Sequence, residues 1–367
     1  MTYMESEDKK LPEIAVNDEL ECNSCGAILK FKPGTHHLNC QYCGALNEIF
    51  DTNQEVMIEE IPLDQYFKEG LDKEERLEVV TIRCQSCGAE STFDNNVSSD
   101  KCPFCGESLV VESGSTASMY KPKYILPFDI DSKQAHQSFK RWLKSLWFAP
   151  NDVKHYGDHN ENLQGVYIPY WTYDCHTDTA YTGKRGDDYY VQQRVNGKMQ
   201  SVRKTRWSGA QGRVKNFFDD ILVIASKSLP LDKMARIRAW DVEKLVPYND
   251  KYLSGFRAET YQVKIEEGYE TAKGRMEHEI GYDVRRDIGG DRQQIHRMNT
   301  QYSGATFKQI LVPVWLSAYR YQGKTYHFII NGRTGALSGD RPYSALKIAM
   351  AIIAGLILIA LLALYGG

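Results

Sequence analysis

Eight of the nine cysteines in this 367-residue chain fall into two sets with the same spacing. Cys22, Cys25, Cys40 and Cys43 form the first set, and Cys84, Cys87, Cys102 and Cys105 repeat it 62 residues later. Within each set, two Cys-x-x-Cys pairs stand fourteen residues apart. Such a pair folds two sulfurs onto one side, and the glycine that follows each pair (Gly26, Gly44, Gly88, Gly106) permits the tight backbone behind them. Two pairs closed by a hairpin make a tetrahedral cage of four thiolates, the chemistry of a zinc ribbon. Iron-sulfur clusters and redox dithiols also use paired cysteines, but the duplicated spacing favours zinc. With four protein ligands no coordination position stays open, so two structural Zn2+ ions are expected. His36 and His37 lie in the first gap and are expected to be exposed loop residues.

The elements that must carry these cages differ in charge from the rest of the chain. Residues 1 to 120 hold 23 acidic and 9 basic side chains, whereas the remaining 247 residues hold 36 basic and 25 acidic ones. Phosphate binding rests on Lys and Arg, so an acidic ribbon region argues against nucleic acid as its ligand and for a protein partner. No apolar run follows a basic start, so nothing marks the chain for export, and its paired thiols read as metal ligands in a reducing cytoplasm.

The far end of the chain reads differently. Residues 348 to 364 carry no charge, and ten of these seventeen are Ile or Leu. A helix over 346 to 365 would extend about 30 Å and match a hydrocarbon core. Arg333, Arg341 and Lys347 precede the uncharged run, which predicts a single-pass inner-membrane anchor with the bulk of the chain in the cytoplasm. Ala351 and Gly355 form a small-xxx-small pair, through which the protein could self-associate as a homo-oligomer.

The middle of the chain predicts an α+β domain with antiparallel strands. A helix begins at Asp131 or Ser132, carries Ala135, Phe139, Trp142, Leu143, Leu146 and Trp147 on one face, and stops at Pro150. Its Lys133, Lys140, Arg141 and Lys144 would suit an anionic membrane surface, although packing on a sheet is the stronger reading. A second helix is expected over about 262 to 287, and Asn196-Gly197 and Asn331-Gly332 are expected hairpin bends. Pro169-x-Trp171 and Pro313-x-Trp315, each in an apolar strand downstream of a helix, hint at an internal duplication.

The organisation expected is therefore a disordered acidic tail (1–20), ribbon 1 (21–50), an acidic linker (51–80), ribbon 2 (81–112), a linker (113–124), the α+β domain (125–343) and the membrane helix (346–365). No catalytic constellation emerges. The "GGD" at 289–291 lacks an acidic continuation, His278 has no second histidine four residues on, and there is no Walker A loop. Cys175 and His176 are adjacent in a strand and so point to opposite faces. The chain is read as a non-enzyme.

The twin ribbons, "YIPYWTYDCHTDTAYTGKRGDDYY", "FDDILVIAS", "IGGDRQQI", "LVPVWLSAYRY", "NGRTGALSGDRPYS" and the terminal apolar run together resemble a family of bacterial twin zinc-ribbon membrane proteins. Its members are often labelled primosomal protein N-prime-like or phage replication proteins. The resemblance implies a setting beside SPFH-domain proteins and phage-shock protein A in envelope stress. It implies an adaptor that recruits such a scaffold to the membrane. The alternative is a nucleic-acid-binding protein linked to replication or phage response.

Overall fold

A computed structural model of the chain describes residues 20–49, 58–69, 76–86, 89–92, 99–104, 107–110, 115–155, 163–195 and 198–365. The expected acidic tail, apart from Leu20, lies outside these residues. The fold is α+β, and its sheets are largely antiparallel.

Ribbon 1 is a three-stranded sheet of β1 (Leu29–Phe31), β2 (His37–Cys40) and β3 (Leu46–Glu48). Next come β4 (Ile61–Pro62) and the short helix α1 (Leu63–Glu69). The second cysteine region holds β5 (Arg76–Arg83), β6 (Glu90–Thr92), β7 (Ser99–Lys101), β8 (Ser108–Val110) and β9 (Ser115–Tyr120). The body begins with β10 (Tyr124–Ile125), α2 (Ser132–Ser145) and α3 (Asn151–His155). Two long strands follow, β11 (Gln164–Val195) and β12 (Lys198–Ile224), then α4 (Leu231–Arg236), β13 (Val246–Pro247) and β14 (Arg257–Ala258). The chain closes with α5 (Ile265–Ile288), β15 (Arg292–Tyr321), β16 (Lys324–Asn331), β17 (Leu337–Gly339) and α6 (Ala345–Tyr365).

The described parts of the two expected linkers, 58–69 with 76–80 and 115–124, include strands and a helix. β4 pairs with β15 through Pro62 and Thr306, and Tyr66 of α1 lies edge-on to Phe307 at 5.3 Å. β9 returns to pair with β5 over Arg76 to Thr81, and β10 joins the body sheet. The apolar residues Ile61, Leu63 and Tyr66 explain the docking, since Asp64, the acidic side chain between them, stays in water.

The body is organised by a local two-fold relation, which answers the hint of duplication. β11 and β15 run antiparallel, with Ile168 opposite Val312, so that Pro169 faces Leu311 and Pro313 faces Tyr167. β10 runs parallel to β15 at Ile310 and Leu311, and β14 runs parallel to β11 at Val166 and Tyr167. Each partner pair ends two residues before its proline. The Trp315 indole donates to the carbonyl of Ile130 at the foot of α2, and the Trp171 indole donates to that of Val263 at the foot of α5. Phe128 meets Trp315 at 4.9 Å, and Tyr261 meets Trp171 at 4.5 Å. The two halves are one strand-helix-strand unit used twice, each half seating the other's helix.

Helix α2 follows its sequence signals at the start: Asp131 caps Gln134, whose side chain returns the bond. It buries Ala135, Phe139 and Leu143, and Phe139 stacks on Phe328 of β16 at 4.0 Å. It ends before Trp147, which the helical periodicity had assigned to the buried face and which is exposed instead. Helix α5 buries Ile265, Tyr269, Ala272, Met276, Ile280, Val284 and Ile288 against the long strands. The opposite face of the sheet centre is covered by Met234, Ile237, Trp240 and Leu245.

Val195 pairs with Lys198, and the expected bend at Asn196-Gly197 between them lies outside the described residues. The β15–β16 hairpin instead turns at Gln322 and Gly323, both with positive φ, while Asn331-Gly332 opens the bend into β17. β11 has 32 residues, a contour of about 100 Å at roughly 3.3 Å per residue. β15 begins opposite Gly186, so beyond it β11 and β12 pair only with each other and form a two-stranded arm.

Candidate metal centre

Ribbon 1 brings Cys22, Cys25, Cys40 and Cys43 together so that one sulfur of each lies within 4.8 Å of the others. Cys22 Sγ is 3.6 Å from Cys43 Sγ, and Cys25 Sγ is 3.5 Å from Cys40 Sγ. These separations are far too long for disulfides and close to the ~3.8 Å edge of a tetrahedron with Zn–S bonds of about 2.3 Å. The donor set therefore fits zinc, which the four thiolates can hold.

The turns show why glycine follows each pair. Gly26 has φ +71° and donates to the Cys22 carbonyl at 2.9 Å; Gly44 has φ +75° and donates to the Cys40 carbonyl at 3.0 Å. The left-handed backbone is open to glycine at little cost. The Cys22 amide then bonds Ala27 O and the Cys40 amide bonds Ala45 O, closing both turns alike. The Ser24 amide donates to Cys22 Sγ, and this bond is the main cause that draws the Cys22 thiol down to about 6. The Ala27 amide acts the same way on Cys25, but the Cys43 and Cys40 thiols outweigh it and push Cys25 up to about 12.

The second set is described in part. Cys84 and Cys102 are buried, and their amides bond Ala89 O and Glu107 O, repeating the turn closure of ribbon 1. Cys87 and Cys105 lie outside the described residues.

Ribbon 1 is docked on the body. The Phe31 amide bonds Ser254 O, the Ser254 hydroxyl bonds Leu29 O, and the Gly34 amide bonds Phe128 O. His36, exposed as expected, shares a 2.9 Å bond with Tyr252, whereas His37 is half-buried within β2 and not in a loop. Neither histidine joins the sulfur cluster.

The sequence reading missed a second group of ionisable side chains. Glu60, Asp174 and Asp219 place carboxylate oxygens within 4.8 Å of one another. Buried Lys308 lies beside them, with Nζ 2.9 Å from Glu60, 2.7 Å from Asp220 and 3.4 Å from Asp174. Its ammonium supplies the positive charge that a cation would bring, so Lys308 and Asp174 form the buried centre of an ion-pair cluster whose Glu60 and Asp219 reach the surface. Burial, then the Glu60 carboxylate, raises Asp174 to about 7, while the bond from Asp174 holds Glu60 down to about 2. Asp174 pairs with Thr306, two residues from Lys308 on the same strand, just before the β11–β15 register shifts, and Asp220 adopts φ +52°. Cys175 is buried beside Tyr269, and His176 packs on Phe217 on the other face, so the two form no pair.

The chain is similar to YdjG of Bacillus subtilis. The two are 24% identical over 320 residues, and the similarity takes in 74% of this chain and 92% of YdjG. YdjG is itself described as an uncharacterized protein. No family model matches the chain, and no solved structure matches it. The similarity to YdjG spans most of both chains, so the relation extends well beyond a single ribbon.

Proposed function

We propose that this chain is a membrane-anchored zinc-ribbon adaptor that recruits a cytoplasmic scaffold of the SPFH or phage-shock type to the inner membrane. The carrying observation is α6: Ala345–Leu364, uncharged but for Lys347 near its start, is long and apolar enough to cross a bilayer, and its apolar stretch buries nothing against the described body. An apolar helix left wholly uncovered needs lipid or a partner. The basic residues that precede it favour a cytoplasmic body.

The second cysteine set holds a second structural Zn2+ in this reading, with Cys84, Cys87, Cys102 and Cys105 as ligands. The two-stranded arm is the recruiting element. It carries Arg194, Lys198, Arg203, Lys204 and Arg206 against Asp187 and Asp188, and exposes Tyr190 and Met199. A basic, partly aromatic arm suits an acidic protein surface. Confinement to the membrane raises effective concentration, so modest contacts suffice.

The same arm favours one rival, a nucleic-acid-binding protein, because cations beside exposed aromatics also suit a phosphate backbone. Flotation of the full chain in phospholipid vesicles separates the two. A purified phage-shock-type or SPFH scaffold should rise with the vesicles only when the chain is present. If duplex or single-stranded DNA rises instead, with steep salt dependence, the rival holds.

A further inference from the structure

The foot of α6 is tied to the loop after α2. The Ser344 amide donates to Phe148 O at 2.8 Å. Lys347 Nζ donates to Ala149 O at 2.7 Å, to Asn151 Oδ1 at 2.7 Å and to Trp147 O at 3.4 Å. A lysine at the end of a membrane helix ordinarily reaches toward headgroups. Here its ammonium is spent on the body, so the span leaves the body as a fixed stalk.

That tie fixes the depth of the loop. Leu146 and Ala149 are buried in the core beneath α2, and between them Trp147 and Phe148 point outward, 77% and 40% exposed. Tyr343, two residues before α6, is 59% exposed at the same end of the helix. The uncharged run begins at Ile348, one residue past Lys347. The interfacial zone outside a ~30 Å hydrocarbon core is roughly 5 to 7 Å deep on each side. A backbone carbonyl within hydrogen-bond reach of Lys347 therefore lies in or beside that zone. Trp and Tyr favour this zone, where an apolar ring meets a wet polar edge. Exposed Arg141 and Lys144 on α2, with Arg341 next to Tyr343, set positive charge around the aromatics, complementary to anionic lipid.

We propose that Trp147 and Phe148, with Tyr343, form a second membrane contact that inserts into the headgroup–acyl boundary of an anionic bilayer. The inference rests on α6 being the membrane anchor. It differs from the amphipathic-helix idea, because the apolar face of α2 is consumed by the sheet and the loop beyond it does the inserting.

The test uses the full chain reconstituted in vesicles of phosphatidylcholine and phosphatidylglycerol whose lipids are brominated at the upper acyl carbons. Tryptophan emission is compared between wild type and Trp147→Phe, an exposed and conservative change. Wild type should lose a larger fraction of its emission to bromine than Trp147→Phe, and the difference spectrum should be blue-shifted relative to that of the detergent-solubilised protein. Equal quenching of the two proteins, with both floating on the vesicles, would overturn the loop contact and leave the anchor standing. Failure of both to float would overturn the anchor and the loop contact together.

Discussion

At the scale of single residues, Cys22 and Cys40 have the sharpest consequence. Replacing both with serine should abolish one equivalent of bound zinc and open ribbon 1, because a structural site contributes on the order of 10 kcal/mol to the folding of so small a unit. Metal analysis with hydrogen exchange over residues 21 to 49 checks this; full zinc content would contradict it. Glu259 offers a pH test. It is fully buried, and burial raises its carboxyl from 4.5 to about 7. The folded state therefore holds its proton longer than the unfolded state. The stability this contributes is complete below about pH 4.5 and is lost as pH rises through 7, on the order of 3 kcal/mol in all. Glu259→Gln should gain stability relative to wild type between pH 5 and pH 8 in paired denaturant melts. The cysteines were legible in the sequence because a metal site needs only residue type and local spacing. The Lys308 cluster was not, since it joins Glu60, Asp174, Asp220 and Lys308 across strand pairings that no local pattern reveals.

Among the elements, α5 shows how a small residue sets a fold. A Cβ on Gly268 would overlap Tyr173 Oη and lie 2.9 Å from Trp171. Gly268→Ala should therefore destabilise the body by about 1 to 3 kcal/mol, read from a shifted urea midpoint at unchanged slope. No shift would mean that α5 rides higher on the sheet. Both long body helices were legible from their periodicity, and α5 differs from its expected span by a few residues. Strand length was not legible. β12 alternates half-buried and exposed positions over Ala210 to Asp220 with few large apolar residues, so pairing with β11 rather than a hydrophobic run sustains it. Trp147 misled for a related reason: a residue just past a helix end keeps the helix's spacing but not its direction. The repeated Pro-x-Trp pair was a sound cue, since each indole must find a buried carbonyl and both find it at the foot of the opposite half's helix.

For the whole molecule, the body places a bilayer-length helix near α2 and carries a basic arm out along strands of about 100 Å contour. Ribbon 1 is fixed to the half that holds α2, and α1 to the half that holds α5. A rigid stalk at Ser344 and Lys347 would orient that arm relative to the membrane, which a loose tether would not. The adaptor account stands or falls on α6. The most direct measurement is alkaline carbonate extraction of cells expressing the full chain or a truncation at residue 344. The account predicts that the full chain stays in the membrane pellet and that the truncation is released. Recovery of the intact full chain in the supernatant would contradict it.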